Sequence, residues 1–501
     1  MKDKMKKHNA RMVQYLVTLS VSFASLTMGV SSAWPTPVLP KFRNNETAIK
    51  INEDEVAWMM AMSAPGFAAG SLVTRFVADR LGRRATVLTS AVPFAVGSLV
   101  VSFALKPWLL YLTRFLWGIG TGMASTVIPM YLAEVVDKEV RATLSLFTRV
   151  TFNLGNLLVM TIGVFVTYDY LNNMLLVLPI TYLIMCYWIP ESPYYYLKDG
   201  RMDAAKKELM KIRRCKEETE LEDELKRLQK DVSSEMRRSS SVKELFTGKQ
   251  YRRAIIIAAG LKLTQTMTGV MTIRGYLGRI NEQSKSTLEL KTVLLVFGVV
   301  QFGVGIMSSI IADRVGRRPL LYYSLFGNGL CLAIVSVYFY YLEVIQMDPE
   351  VLSAYCYVPF GAIIGANVIA TLGYNSIIMV IPAEIFPMNV KAVALTSLSM
   401  FGGLIGFGMG KGYQEIVNLA GLLGAFSVFT GFSVAGALFV MYYVPETKGK
   451  SLKEIQIILQ GDIYNEAEND TLNQVKESEV NEVVENNELK EVNLSLNNVK
   501  V

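Results

Sequence analysis

Twelve apolar stretches, each of about 20 residues and so long enough to cross a hydrocarbon core of roughly 30 Å, divide this chain. They cover 12–33, 56–76, 85–105, 108–131, 143–167, 171–189, 254–277, 291–312, 319–342, 354–381, 393–413 and 420–444. Only 19% of the 501 residues are charged, and the charge is confined to short connectors and three larger blocks. A soluble chain of this length would spread its charge over two or three domains. An all-α, polytopic membrane protein is expected. The first stretch follows MKDKMKKHNAR without a small-residue cleavage site and reads as a retained helix.

Basic residues in the connectors set the expected orientation. Lys2, Lys4, Lys6, Lys7 and Arg11 precede the first stretch, and the basic connectors all fall on that same side. Both termini are therefore expected in the cytoplasm, in a multi-pass plasma-membrane protein. The net charge of +7 is mostly this bias. It is no nucleic-acid signal, since no basic patch is interleaved with stacking aromatics. Cys186, Cys215, Cys331 and Cys356 lack CxxC spacing, and His8 is the single histidine. Neither a disulfide nor a metal site is expected, and no cofactor or obligate protein partner is indicated. Little is left from which to build a catalytic centre.

The landmarks come in pairs. VADRLGRR at 77–84 recurs as IADRVGRR at 311–318, placing Asp79 and Asp313 234 residues apart. Glu134 precedes Arg141 by seven residues, as Glu384 precedes Lys391. Pro190-Glu191-Ser192 closes the sixth stretch and Pro445-Glu446-Thr447 the twelfth. These offsets imply a duplicated six-helix unit, with two like halves enclosing a midplane cavity. The expected organisation is an amino-terminal segment 1–11, a first half 12–190, linker helices 191–253, a second half 254–445 and a mostly disordered acidic tail 446–501. Acidic and basic groups at the helix ends can pair when the cavity opens outward and part when it opens inward.

From about residue 12 to 455 the sequence resembles the sugar porters of the major facilitator superfamily. The resemblance rests on DRLGRR, RFLWGIGTG from Arg114, PMYLAE from Pro129, Arg141 and PESP at 190–193. In the second half it rests on DRVGRR, EIFP from Glu384 and VPETKGKSL at 444–452. Within the family the facilitated trehalose transporters look most similar, through the VPET(x)GK ending and the NxG of the fifth helix. The resemblance implies a major facilitator fold of twelve helices and a gating charge network at the cytoplasmic face. That network would comprise Asp79, Arg83, Arg84, Glu134, Arg141 and Glu191 in one half. Asp313, Arg317, Arg318, Glu384, Lys391 and Glu446 would form its counterpart.

The sugar-contacting positions depart from the family. QQxSGxN in the seventh helix reads QTMTGVM from Gln265, and the tenth-helix GPxPW position reads Asn375-Ser376-Ile377-Ile378-Met379. The eleventh-helix Asn-Trp pair is Gly402-Gly403. A sugar is held by directional hydrogen bonds and an aromatic face. The candidate substrate residues are Gln265, Thr268, Asn153, Arg149, Gln301, Asn375 and Met379. Arg149 and Lys262 are cations within apolar helices, where charge usually marks function. Facing the cavity, they would favour an organic anion; snorkelling would make them structural. Lys262 lies three residues before Gln265, on the same helix face. Arg274 and Arg279, near the far end of the seventh helix, are expected to snorkel. No Asp or Glu lies deep in any stretch, so no carboxylate is available for coupling to protons, and Lys262 is the one residual candidate. Facilitative sugar transport, with trehalose or a hexose as cargo, is the leading expectation. Transport of an organic anion on the same fold stands beside it, and a non-transporting nutrient sensor is a third reading.

The glycine pairs 118/122, 402/406 and 406/410 read as close helix packing rather than a dinucleotide loop. Asn45-Glu46-Thr47 is a candidate glycosylation acceptor in an extracellular connector.

Overall fold

In hydrocarbon each backbone N–H and C=O must be satisfied within its own segment, so apolar runs of this length become helices. The computed structural model describes residues 2–213, 221–237, 242–284, 288–311, 315–347, 351, 355, 357–450 and 452–460. Among these, eleven helical segments are long and apolar enough to cross a bilayer. Helices one to six are Arg11–Arg43, Glu53–Leu81, Arg83–Ser102, Pro107–Val135, Lys138–Phe165 and Tyr168–Tyr187. Helices seven to ten are Lys249–Gly275, Leu290–Ser308, Arg317–Val344 and Tyr357–Ile385.

The last segment, Met388–Tyr443, has 56 residues. Straight, it would measure about 84 Å, nearly three hydrocarbon cores. It turns back at Ala420 (φ −134°, ψ 16°) and Gly421 (φ 66°, ψ −170°), the latter a conformation essentially reserved for glycine. The arms on either side of this corner are taken as helices eleven and twelve, matching the last two stretches of the sequence.

In the first half, helix one packs on five and six, and helix three on four and six, while helix two runs along four. Glycines draw two and four together: a Cβ on Gly118 would lie 2.4 Å from Ser63 O, and one on Gly122 2.2 Å from Phe67 O. In the second half, helices seven and nine pack on the Met388–Tyr443 segment, and eight and nine on ten. The halves meet where helix two touches eleven and where five touches eight. The main apolar core includes Trp34, Phe94 and Tyr131 of one half and Phe297, Phe339 and Phe426 of the other.

Two passes that read as unbroken stretches are interrupted. Helix seven breaks at Gly269 (φ 72°), giving Arg252–Met267 and Val270–Gly275. Helix ten breaks at Gly373, giving Tyr357–Leu372 and Tyr374–Ile385. Each break falls on a single glycine inside a stretch that is still long and apolar enough on average to cross, so each reads as one unbroken pass. Helix one also runs beyond 33, because Pro35 starts a further helix, Pro35–Arg43.

Between the halves lie Pro193–Lys198, Met202–Arg213, Glu222–Arg237 and Val242–Thr247. Leu197, Leu209, Leu221 and Val232 form a small core within them. Arg213 ties this linker to the first half through Asp137 at 2.5 Å, and also pairs with Glu224 at 2.7 Å. Asp313, Cys215, Cys356 and the acidic tail from 461 onward lie outside the described residues.

Candidate functional site

A cavity of about 340 Å³ lies between the halves, walled by helices one, two, four, seven, ten and eleven. On the face away from the GRR patches it is sealed. Ion pairs Arg43–Glu282 (2.9 Å), Arg279–Glu53 (2.8 Å) and Lys411–Asp54 join the halves there. Thr36 also donates to Arg274 O at 3.1 Å, and Gly410 lies against Ala61.

Gln265, Asn375 and Met379 line this cavity. The Gln265 amide donates to Asn375 Oδ1 at 3.2 Å and accepts from Lys262 Nζ at 3.0 Å. Lys262 is therefore on the wall, as its spacing from Gln265 predicts. The other four candidates sit elsewhere. Thr268 is fully buried, accepts from Tyr374 OH at 3.0 Å and donates to Gln265 O at 2.9 Å, so it braces the break in helix seven. Asn153 lies where helix five meets eight, close enough that a Cβ on Gly305 would be 2.3 Å from its Nδ2. Gln301 is buried, with its Oε1 unpartnered, and Arg149 is exposed; neither lines the cavity.

Arg274 is placed differently from the expectation of a snorkelling side chain. It is 8% exposed, lines the cavity and donates to Asn367 Oδ1 at 3.2 Å. The break at Gly269 resets the helical phase, so the face of Gln265 cannot be extended to position 274. Arg279 pairs with Glu53 and donates to Gln414 at 2.6 Å. Arg114, 6% exposed, also lines the cavity and donates to Ser31 O at 2.8 Å. Trp117 and Phe67 supply aromatic surface, and Ser63, Thr121, Thr266 and Thr272 supply hydroxyls. Among the described residues, none of those lining the cavity is Asp or Glu.

The charged landmarks assemble into two matching clasps on the GRR face. In the first, Arg83 Nε donates to Glu134 at 3.1 Å, and the backbone N–H groups of Arg83 and Arg84 donate to Glu191 at 2.8 and 3.0 Å. Ser192 closes onto Glu134, and Asp79 lies 3.5 Å from Arg83 and 2.8 Å from Lys198. In the second, Arg317 and Arg318 N–H donate to Glu446 at 2.9 and 3.1 Å. Arg317 pairs with Glu384 at 3.5 Å, and Thr447 donates to Glu384 at 2.6 Å. Burial pushes the Glu446 carboxyl up, but the backbone donors of Lys448, Arg317, Arg318 and Thr447 outweigh it and hold the group below its ordinary value. Arg141 donates to Val136 O at 3.2 Å. The Glu134–Arg83 and Glu384–Arg317 contacts run within a half, and both are made while the opposite face is sealed. Ser192 and Thr447 belong to the PES and PET motifs, but spacing alone does not reveal which carboxylates they contact.

Two six-helix halves about a central cavity, with a clasp on each, are the architecture of a membrane carrier. In three dimensions the chain is similar to the inward-open xylose transporter XylE of E. coli, with TM-score 0.72 and 19% identity over 89% of this chain and 99% of that one. It is likewise similar to the proton:xylose symporter XylE bound to 6-bromo-6-deoxy-D-glucose, with TM-score 0.71, 19% identity and coverage of 90% and 99%. The family model described as "Sugar (and other) transporter" matches residues 21–459, and the chain belongs to that family. It is 32% identical to the facilitated trehalose transporter Tret1 of Polypedilum vanderplanki, over 89% of this chain and 88% of the relative. It is also 32% identical to Tret1 of Drosophila virilis over 89% of this chain, but spans only 49% of that longer relative. The family's members are transporters, not enzymes.

Proposed function

We propose that this protein is a facilitative carrier, moving a sugar-sized, hydroxyl-bearing solute across the plasma membrane by alternating access. Trehalose and hexoses are the first cargoes to test, because the relatives named above are trehalose transporters. The observation that carries the reading is the central cavity: it lies between duplicated halves, is sealed on one face and combines amide, hydroxyl and aromatic groups. The basic connectors support a cytoplasmic GRR face and cytoplasmic termini. On that reading, exposed Asn45 (φ 56°) is an extracellular glycosylation acceptor. The clasps keep each half rigid as the halves move.

A lining without Asp or Glu offers no carboxylate to take up and release a proton during the cycle. Tracer uptake into vesicles holding the full chain should therefore equilibrate without accumulating, and should persist when a protonophore collapses the pH gradient. Concentrative uptake abolished by the protonophore would refute uniport. An epitope inserted at 44–47 should be reached by antibody on intact cells, and labelling of an amino-terminal epitope under those conditions would reverse the orientation.

A further inference from the structure

We propose that the cavity is built for a sugar-sized solute carrying one oxyanion, a hydroxylated carboxylate or a phosphate ester. This rests on the carrier reading and names its cargo class. Lys262, Arg114 and Arg274 are cations of the cavity lining, and no carboxylate lines it with them. Arg114 and Arg274 are each more than nine-tenths buried, and they donate to the neutral acceptors Ser31 O and Asn367 Oδ1. The Nε of each guanidinium is buried without a hydrogen-bond partner. Lys262 likewise donates to a neutral amide.

Buried cations without counter-charge are costly and mark a place where an anion belongs. An oxyanion supplies the charge and the acceptor lone pairs that the orphaned donors lack, while Gln265, Asn375 and the wall hydroxyls remain for a polyol body. The lysine's path is also built in. A Cβ at position 402 would lie 2.3 Å from Lys262 Cε, so the bare backbone of Gly402 on helix eleven makes room for the stem.

The test uses the purified full chain in proteoliposomes, with labelled glucuronate, glucose 6-phosphate, glucose and trehalose. One of the two anions should enter at least tenfold faster than either neutral sugar, and whichever wins names the oxyanion. If glucuronate enters, an inside-positive potential of 60 mV should raise its accumulation roughly tenfold and leave that of neutral sugars unchanged. Lys262→Met and Arg274→Gln should each lower the anion-to-neutral uptake ratio at least tenfold. Should Arg274→Gln fail to fold, Lys262→Met carries the test. Uptake of glucose or trehalose that excess glucuronate and glucose 6-phosphate do not inhibit would overturn the anion inference and leave the carrier reading standing. If no probe moves and none raises the melting temperature of the solubilised protein, both readings fall.

Discussion

Lys262 can cross from helix seven toward eleven because position 402 has no side chain. Gly402→Val should therefore destabilise the protein by about 1–3 kcal/mol, the usual range for overpacking. In a Lys262→Ala background most of that loss should vanish. Thermal melts of the four species in detergent would show it, and strictly additive losses would mean that the two positions do not touch. At this scale the sequence reading reaches part of the site. Gln265, Asn375 and Met379 reach the cavity wall from family positions, whereas spacing put Lys262 on the face of Gln265 but left snorkelling open. Arg274 is not, because the helical phase is lost at Gly269. Thr268 and Gln301 are polar residues in the expected helices, but burial rather than cavity exposure is what a one-dimensional pattern cannot distinguish.

Among elements, the corner between helices eleven and twelve is the most exacting. Glu343 accepts from Leu422 N at 2.9 Å and Leu423 N at 3.2 Å, satisfying donors that a helix start leaves open. A Cβ on Gly421 would sit 2.1 Å from that carboxylate, and φ of 66° with ψ of −170° is unsuited to other residues. Gly421→Ala should cost roughly 1–3 kcal/mol, visible as a lower melting temperature; an unchanged melt would show that the corner relaxes freely. The passes themselves were legible, since length and apolarity alone demand helices in a bilayer. So was the doubling, because Arg83-Arg84 and Arg317-Arg318 occupy equivalent corners and their glutamate partners repeat in detail. The interruptions in seven and ten were hidden because each rests on one glycine within a run whose length and mean hydropathy still read as a single pass.

For the whole molecule, the ion pairs on the sealed face decide how readily it opens there. Solvent-exposed pairs are typically worth no more than about 1 kcal/mol each, so Arg43–Glu282, Arg279–Glu53 and Lys411–Asp54 together shift the balance of states without locking it. Arg279→Gln should expose the sealed side. A cysteine placed at Ala61, which is 1% exposed, should then react several-fold faster with an impermeant reagent added from that side, in a background lacking the native cysteines. No acceleration would mean that the pair does not hold the face shut. The seam beneath those pairs has a different character. Gly403, Gly406 and Gly410 of helix eleven lie on Ala61, Ala64 and Ala68 of helix two, beside the Trp58–Phe407 ring pair that also joins the two helices. Sliding along that stripe disturbs backbone-to-methyl packing and one ring pair, and no hydrogen bond, which suits a bearing between the two helices. On the carrier reading, resistance to switching then falls to the surrounding lipid, and turnover should follow the fluidity of the membrane.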